Sequence, residues 1–229
     1  HQYGVEAIGS EFPEQDAEVI SIAYNIYKNF DIHNLSVRIN SIGSSDIREK
    51  YLKILKKSLL KYKSFLSPIS QKRLENNALR LFDSKNSDDQ KILDENAPFI
   101  FDYISEDDLI HFNQLTQILE KINIPFYHDK KLVRGLDYYT RTTFEITSQK
   151  LGAQDALCGG GRYDKLIEQL GGKKTPAIGF AAGVERLLMI INSDQQEKKG
   201  NLIIYIAILG KKTIPEAMNI TYNLKKIKN

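Results

Sequence analysis

The chain has 229 residues, enough to bury a sizeable core and to hold more than one folding unit. Hydrophobic residues make up 41% and charged residues 27%, a globular balance, and the one cysteine, Cys158, excludes an internal disulfide framework and fits a reducing compartment. A net charge of +3 permits a nucleic-acid partner without demanding one, and neither a membrane-length apolar run nor a signal pattern is present.

Residues 1–8 alternate as a strand, with Gln2, Gly4 and Glu6 on one face and Tyr3 and Val5 on the other. Pro13 and Asp16 open a helix whose apolar stripe is Val19, Ile22, Ala23, Ile26 and Phe30. Leu35, Val37 and Ile39 alternate with polar residues as a second strand. From 46 to 73 there are nine Lys or Arg against Asp46 and Glu49, with Leu52, Leu55, Leu59 and Tyr62 at helical spacing. From 83 to 108 nine acids stand against Lys85 and Lys91. This reads as a helical insertion with two solvated, partly pairing charged faces, or else a basic helix that approaches a nucleic-acid backbone.

Ser105 and Asp108 form an N-cap pattern for a helix burying Leu109, Leu115, Leu119 and Ile122. Strand-rich sequence then runs to 158, and glycines 159–161 punctuate it as a turn before a short helix over 164–170. Residues 176–182 read as a strand leading into a helix with Val184, Leu187, Leu188 and Ile191 inside. A polar linker covers 193–200, a buried strand 202–209 and a helix 214–227.

The residues with the most chemistry lie in L-V-R-G-L-D-Y-Y-T-R-T at 132–142. Arg134 offers a planar fork suited to phosphate, and Tyr138 and Tyr139 offer aromatic bodies with polar tips. Glu6 either faces inward, where a carboxylate needs a partner or ligand, or faces solvent at a sheet edge. G-G-G-R-Y-D at 159–164 is neither a Walker loop nor a dinucleotide fingerprint. It is either a glycine turn with Arg162 and Asp164 paired locally, or a close approach to a ligand with Tyr163 in the pocket. Arg186 stands in a helix's first turn, where the dipole disfavours it, so it needs an anion: Glu185 or a polyphosphate. His33, His111 and His128 lack paired metal-ligand spacing, and Cys158 reads as a small buried residue.

Four motifs stand in order: H-Q-Y-G-V-E at 1–6, L-V-R-G-L-D-Y-Y-T-R-T at 132–142, G-G-G-R-Y-D-K-L-I-E-Q-L-G-G at 159–172 and A-I-G-F-A-A-G-V-E-R-L at 177–187. Together they resemble the histidyl-tRNA synthetases, class II aminoacyl-tRNA synthetases. The first resembles the end of motif 2, the next two the histidine-specific motifs, and the last motif 3.

The resemblance implies an α+β fold: a class II synthetase-like antiparallel sheet flanked by helices, with a helical insertion and the start of an α/β anticodon-binding domain. The implied boundaries are 1–45 and 105–195 for the catalytic domain, 46–104 for the insertion and 200–229 for a truncated anticodon-binding domain. It implies activation of L-histidine with ATP to histidyl-adenylate and transfer to the 3′ end of tRNA(His), in a cytoplasmic homodimer. Magnesium would arrive with ATP, and no protein-bound structural metal is expected. Matched to the motifs, Gln2, Glu6, Tyr138, Tyr139 and Tyr163 would bind histidine. Arg134 would be catalytic at the α-phosphate, and Arg134 and Arg186 would bind ATP.

Motif 1 and the first part of motif 2 would lie before His1, so residues 1–229 alone are expected to be inactive or weak in histidine-dependent ATP–pyrophosphate exchange. The alternative is a histidine-sensing regulatory subunit of ATP phosphoribosyltransferase, a non-charging paralogue. Arg134 and the domain beginning near 201 favour the synthetase.

Overall fold

Alternation of polar and apolar residues produces β1 (Gln2–Ile8), whose Gln2, Gly4 and Glu6 are exposed while Tyr3, Val5 and Ala7 are half-buried. The computed structural model describes residues 1–135, 138–151, 155–193 and 204–226. Pro13, with no backbone donor to lose, starts α1 (Pro13–Asn29), which buries Ala17, Val19, Ile20, Ala23 and Tyr27. Next come β2 (Leu35–Ser41) and three helices, α2 (Ser45–Leu59), α3 (Pro68–Asn76) and α4 (Ser87–Asn96). Short 3-10 segments separate them, among them Ala78–Asp83. Ser105 caps α5 (Glu106–Lys121) by accepting from the Asp108 N–H. Then come β3 (Phe126–His128), β4 (Thr140–Ser148), β5 (Ala156–Arg162), α6 (Leu166–Gln169), β6 (Ala177–Gly183) and α7 (Val184–Ser193). α8 (Ile214–Lys226) closes the described chain.

The six strands form one sheet in the order β1-β6-β5-β4-β2-β3, antiparallel except for the β2–β3 pair. One face carries Val37, Ile39, Phe144, Ile146, Phe180 and Ala182 into a core completed by α1 and α5. A second core lies in the helical stretch between β2 and α5, built from Tyr51, Leu55, Leu59, Leu74, Leu81, Leu93 and Ile100. Val133 and Tyr139, from the segment before β4, belong to this second core. Asp89 of α4 organises it: fully buried, it accepts from Ser70 Oγ and Ser84 Oγ at 2.6 Å and from the Ser67 N–H and hydroxyl at 2.7 Å. Burial raises the Asp89 carboxyl, but these bonds outweigh it and hold the group below its ordinary value.

The chain folds as two compact units, His1–Asp194 and Gln195–Asn229. Among the described residues, no helix is long and apolar enough to cross a membrane.

Several expectations change. Glycines 159–161 are the middle of strand β5, not a turn. Side chains and neighbouring strands crowd both faces there: a methyl at Gly160 would lie 2.8 Å from the Phe144 ring. The helix expected over 164–170 shrinks to four residues. Phe30, Leu109, Ile122 and Leu188 are exposed rather than buried. α5 turns Asp108, His111 and Phe112 inward instead, because His111 bonds a buried carboxylate on α1. Close ion pairs of the acidic stretch run outside the basic one, Asp94 with Lys131, Asp102 with Lys130 at 2.7 Å and Asp108 with Arg141 at 2.9 Å, while Asp89 bonds Ser67 and Ser70 within it and Asp83 feels the charge of Arg73. The strand expected at 202–209 is absent over 204–209, and Tyr205 and Leu209 are exposed; no described strand pairs with this segment. Residues 194–203 of the linker and strand, and 227 of the last helix, lie outside the described residues.

Candidate functional site

The second face of the sheet has almost no side chains at its centre. Register puts Gly4 of β1 beside Ala181 of β6, and Ala181 beside Gly159 of β5; Glu6 lies beside Gly179, and Gly179 beside Gly161. Side chains on paired residues share a face, so these glycines make a bare floor bordered by Gln2 and Glu6 on one side and Glu145 of β4 on the other.

Arg134 lies flat on this floor. A methyl at Gly159 would fall 2.3 Å from Arg134 Nη1 and 2.6 Å from its Cζ, so only glycine admits the guanidinium there. Arg134 Nη1 donates to Glu145 Oε1 at 3.0 Å, and the other carboxylate oxygen accepts from Arg38 Nη1 at 3.2 Å. Arg38 in turn donates through Nε to Asp129 at 2.9 Å. Glu145 thus holds two arginines side by side, and Arg134 keeps about a quarter of its side chain open to solvent.

Glu6 occupies the Gly179 end of the floor, where a methyl would collide with its Oε2 at 1.7 Å. Tyr163 donates its hydroxyl to that same Glu6 oxygen. Burial, then Glu6, pushes the Tyr163 phenol well above its ordinary value, so it stays a donor at neutral pH. Tyr138 meets Tyr163 edge-to-face with ring centroids 6.0 Å apart, and stacks obliquely on Tyr139 at 4.7 Å. Tyr139 is buried and its hydroxyl is pushed up to about 12, by burial first and then by Tyr138, with Arg134 acting against them. Cys158, on the packed face of β5, is a buried thiol pushed up to about 12 by desolvation, and so is unreactive.

The expected site residues therefore form a connected but two-part arrangement. Glu6, Tyr163, Tyr138 and Tyr139 make a continuous chain of contacts. Arg134 and Arg186 instead line one cavity of about 600 Å3, which neither Glu6 nor Tyr163 reaches. The two parts share the sheet face and stand about 7 Å apart along β5, the two-residue step from Gly161 to Gly159. Gln2 shares that face but sits at the Gly183 register, four residues from Glu6. Glu6 is the solvent-facing edge carboxylate of the two options, bonded to Tyr163 rather than buried. Arg186 donates to the Ala156 carbonyl at 2.5 Å, while Glu185 bonds His1 at 2.7 Å.

Two groups escaped the sequence reading. Arg38 and Glu145 are charged residues inside alternating strands, and that opposite pairing is the signal that could have found them. The other is a buried hub. Arg162, fully buried, bonds Asp16 of α1, the Ser10 carbonyl at 2.8 Å and Asp164 at 3.0 Å. Asp16 also accepts from Thr142 Oγ1 at 2.6 Å and lies 2.7 Å from His111 Nε2. The local Arg162–Asp164 pair is present, but Asp16 is the larger partner, and neighbouring Tyr163 inherits its position from this anchor.

A sequence model of the family described as histidyl-tRNA synthetase matches residues 1–187. The chain is 46% identical over 228 residues to a histidine–tRNA ligase of Dictyoglomus turgidum, covering 98% of this chain and 55% of that protein. The structure of apo S. aureus histidyl-tRNA synthetase superposes with a TM-score of 0.65 at 33% identity, covering 98% of this chain and 56% of that one. A Bacillus halodurans structure described as an ATP phosphoribosyltransferase regulatory subunit/histidyl-tRNA synthetase shares the fold with a TM-score of 0.56 at 24% identity, over 83% of this chain and 53% of that one. The chain spans about half the length of the curated relatives it matches.

Proposed function

The chain belongs to the histidyl-tRNA synthetase family, and from that premise we propose that the protein carrying it joins L-histidine to ATP and passes the histidine to the 3′ end of tRNA(His). The observation that supports this most is the shared glycine-floored face, with an acid–phenol pair at one end and a guanidinium at the next step.

Imidazole is flat and, when neutral, carries one donor and one acceptor. Glu6 accepts from the donor edge, and the phenols of Tyr163 and Tyr138 border the ring, with Tyr139 behind them. Gln2 lies along the same strand toward the amino-acid backbone. The histidine carboxylate attacks the α-phosphorus, a P–O bond forms, and pyrophosphate leaves with the electron pair of the bond that breaks. No proton needs to move, so positioning and positive charge carry the reaction. Arg134 meets the charge growing on the α-phosphate, and Arg186 holds the nucleotide tail. Magnesium travels with the nucleotide as part of the substrate.

Residues 1–45 and 105–195 serve as the catalytic domain, 46–104 as an insertion and 200–229 as the opening of an anticodon-binding domain. A cytoplasmic homodimer is the family-consistent state.

Histidine-dependent ATP–pyrophosphate exchange and charging of tRNA(His) test the proposal. Arg134→Ala should lower exchange kcat by about a hundredfold or more with little change in histidine KM, the cost of losing one donor aimed at developing charge. Histidine binding with no exchange in the unmodified protein would support the regulatory-paralogue reading instead.

A further inference from the structure

The cavity beside Arg134 has two walls. One is the sheet, with Arg38, Arg134 and Glu145; the other is the helical stretch, with Arg80, Ser84 and Lys85. Six of the lining side chains are cationic and three, Asp83, Glu145 and Asp155, are acidic. On the sheet wall, Glu145 already bonds both Arg38 and Arg134, and Asp129 bonds Arg38 again. With Arg186 and Asp155 included, the sheet side sets three cations against three acids, so it carries no surplus positive charge for a multiply anionic ligand.

The helical wall supplies what is missing and is built to stay in place. Ser84 donates to Asp89, whose carboxylate is saturated by bonds within the helical core. Gln90 donates to the Ser84 carbonyl at 2.7 Å and accepts from Lys131 at 3.1 Å, which ties this wall to the loop carrying Arg134. Arg80 runs alongside the next residue of that loop: a methyl at Gly135 would lie 3.6 Å from its Nε. Its ion pair with Asp83 is long, 3.6 Å, and half-exposed, so a phosphate competes for it easily.

We infer that Arg80 and Lys85, carried by the helical stretch, bind the terminal phosphates of the nucleotide whose α-phosphate meets Arg134. This rests on the synthetase reading for the identity of the ligand, but the polyphosphate chemistry stands on the cavity. A triphosphate held this way bridges the two cores, so the helical region belongs to the nucleotide site and does not merely flank it.

The test uses Arg80→Ala, Lys85→Ala and the double variant in the protein carrying this chain, with inorganic tripolyphosphate as the calorimetric probe. Both side chains are exposed, so melting temperature should hold. The double variant should bind tripolyphosphate at least tenfold more weakly and raise the ATP KM in exchange by a similar factor, with histidine KM unchanged. Lys85→Glu should lose more than Lys85→Ala, and Arg80→Lys should keep most of the binding. Unchanged tripolyphosphate and ATP affinity overturns the inference. So does a defect confined to the tRNA KM, which would assign these cations to a phosphodiester backbone. Tripolyphosphate binding that depends on Arg80 and Lys85, without histidine-dependent exchange, upholds the phosphate site and sinks the synthetase reading. Exchange indifferent to both residues does the reverse.

Discussion

Gly159 leaves out a side chain so that Arg134 can lie on β5. Gly159→Ala should therefore act as an indirect Arg134 variant: the fold survives, the guanidinium is displaced, and exchange kcat drops by roughly tenfold to a hundredfold, in the range for a misplaced reacting group. A variant with full turnover would show that Arg134 works from some other position. Tyr163→Phe removes the only polar atom of that side chain, the donor to Glu6. A hydrogen bond to a charged group is worth about 1.5–3 kcal/mol, and solvent at the exposed Glu6 recovers part of it, so histidine KM should rise on the order of tenfold. Unchanged histidine affinity would remove Tyr163 from the imidazole site. At this scale the arginine motif stood out, since an arginine and two tyrosines are costly as plain core residues, whereas Glu6 fitted a solvent-facing edge equally well, and that is where it lies. Their grouping was less legible. Nothing in the spacing separates the Glu6–Tyr163 cluster from the cavity of Arg134 and Arg186, because that division depends on which glycine each side chain covers.

Secondary elements were legible where a single face is buried, and misread where a polar contact overrides the apolar stripe. α5 is a helix as its periodicity predicts, yet it is rolled so that Asp108 and His111 go inside, and the buried acceptor for His111 sits 95 residues away on α1. The glycines of β5 look like a turn by local rules, since those rules cannot see the strands pressing on both sides. α4 shows the same dependence on distant partners. Asp89→Ala leaves the Ser67 N–H and the Ser67, Ser70 and Ser84 hydroxyls without their shared acceptor, and should cost about 3 kcal/mol or more in urea denaturation. The depressed carboxyl also sets a pH dependence. Its stabilising contribution is complete above the ordinary value of 3.8 and is lost as pH falls through the lower folded value. Asp89→Asn should flatten that acid limb, and a variant with the same acid limb as the parent would show that other carboxylates govern it.

On the scale of the whole molecule, the two cores meet at the candidate site. Tyr139 and Val133 are packed with the helical stretch, while Arg134 between them reaches onto the sheet. Arg48 of α2 adds a bond to the Tyr139 carbonyl at 2.8 Å. A cavity in the helical core should therefore be felt in turnover. Leu81→Ala, at a fully buried position, should cost about 2–5 kcal/mol and also lower exchange kcat under conditions where the variant is still folded. Full turnover in a destabilised but folded Leu81→Ala protein would show the two cores to be independent. Composition and charge blocks predicted a helical stretch inserted between strands; they could not predict that its core would take in part of the arginine motif.

The sheet order also has a consequence in time. β1 pairs with β6, the last of the described strands in chain order, and the Asp16 carboxylate of α1 finds its guanidinium only at Arg162. On a ribosome adding about 5–20 residues each second, β1 and Asp16 wait on the order of ten seconds for these partners to be made. Until then the strand edge that β6 will pair and a carboxylate bound for burial stand exposed together. Nascent chains stalled before residue 162 should be the ones that chaperones hold and proteases cut.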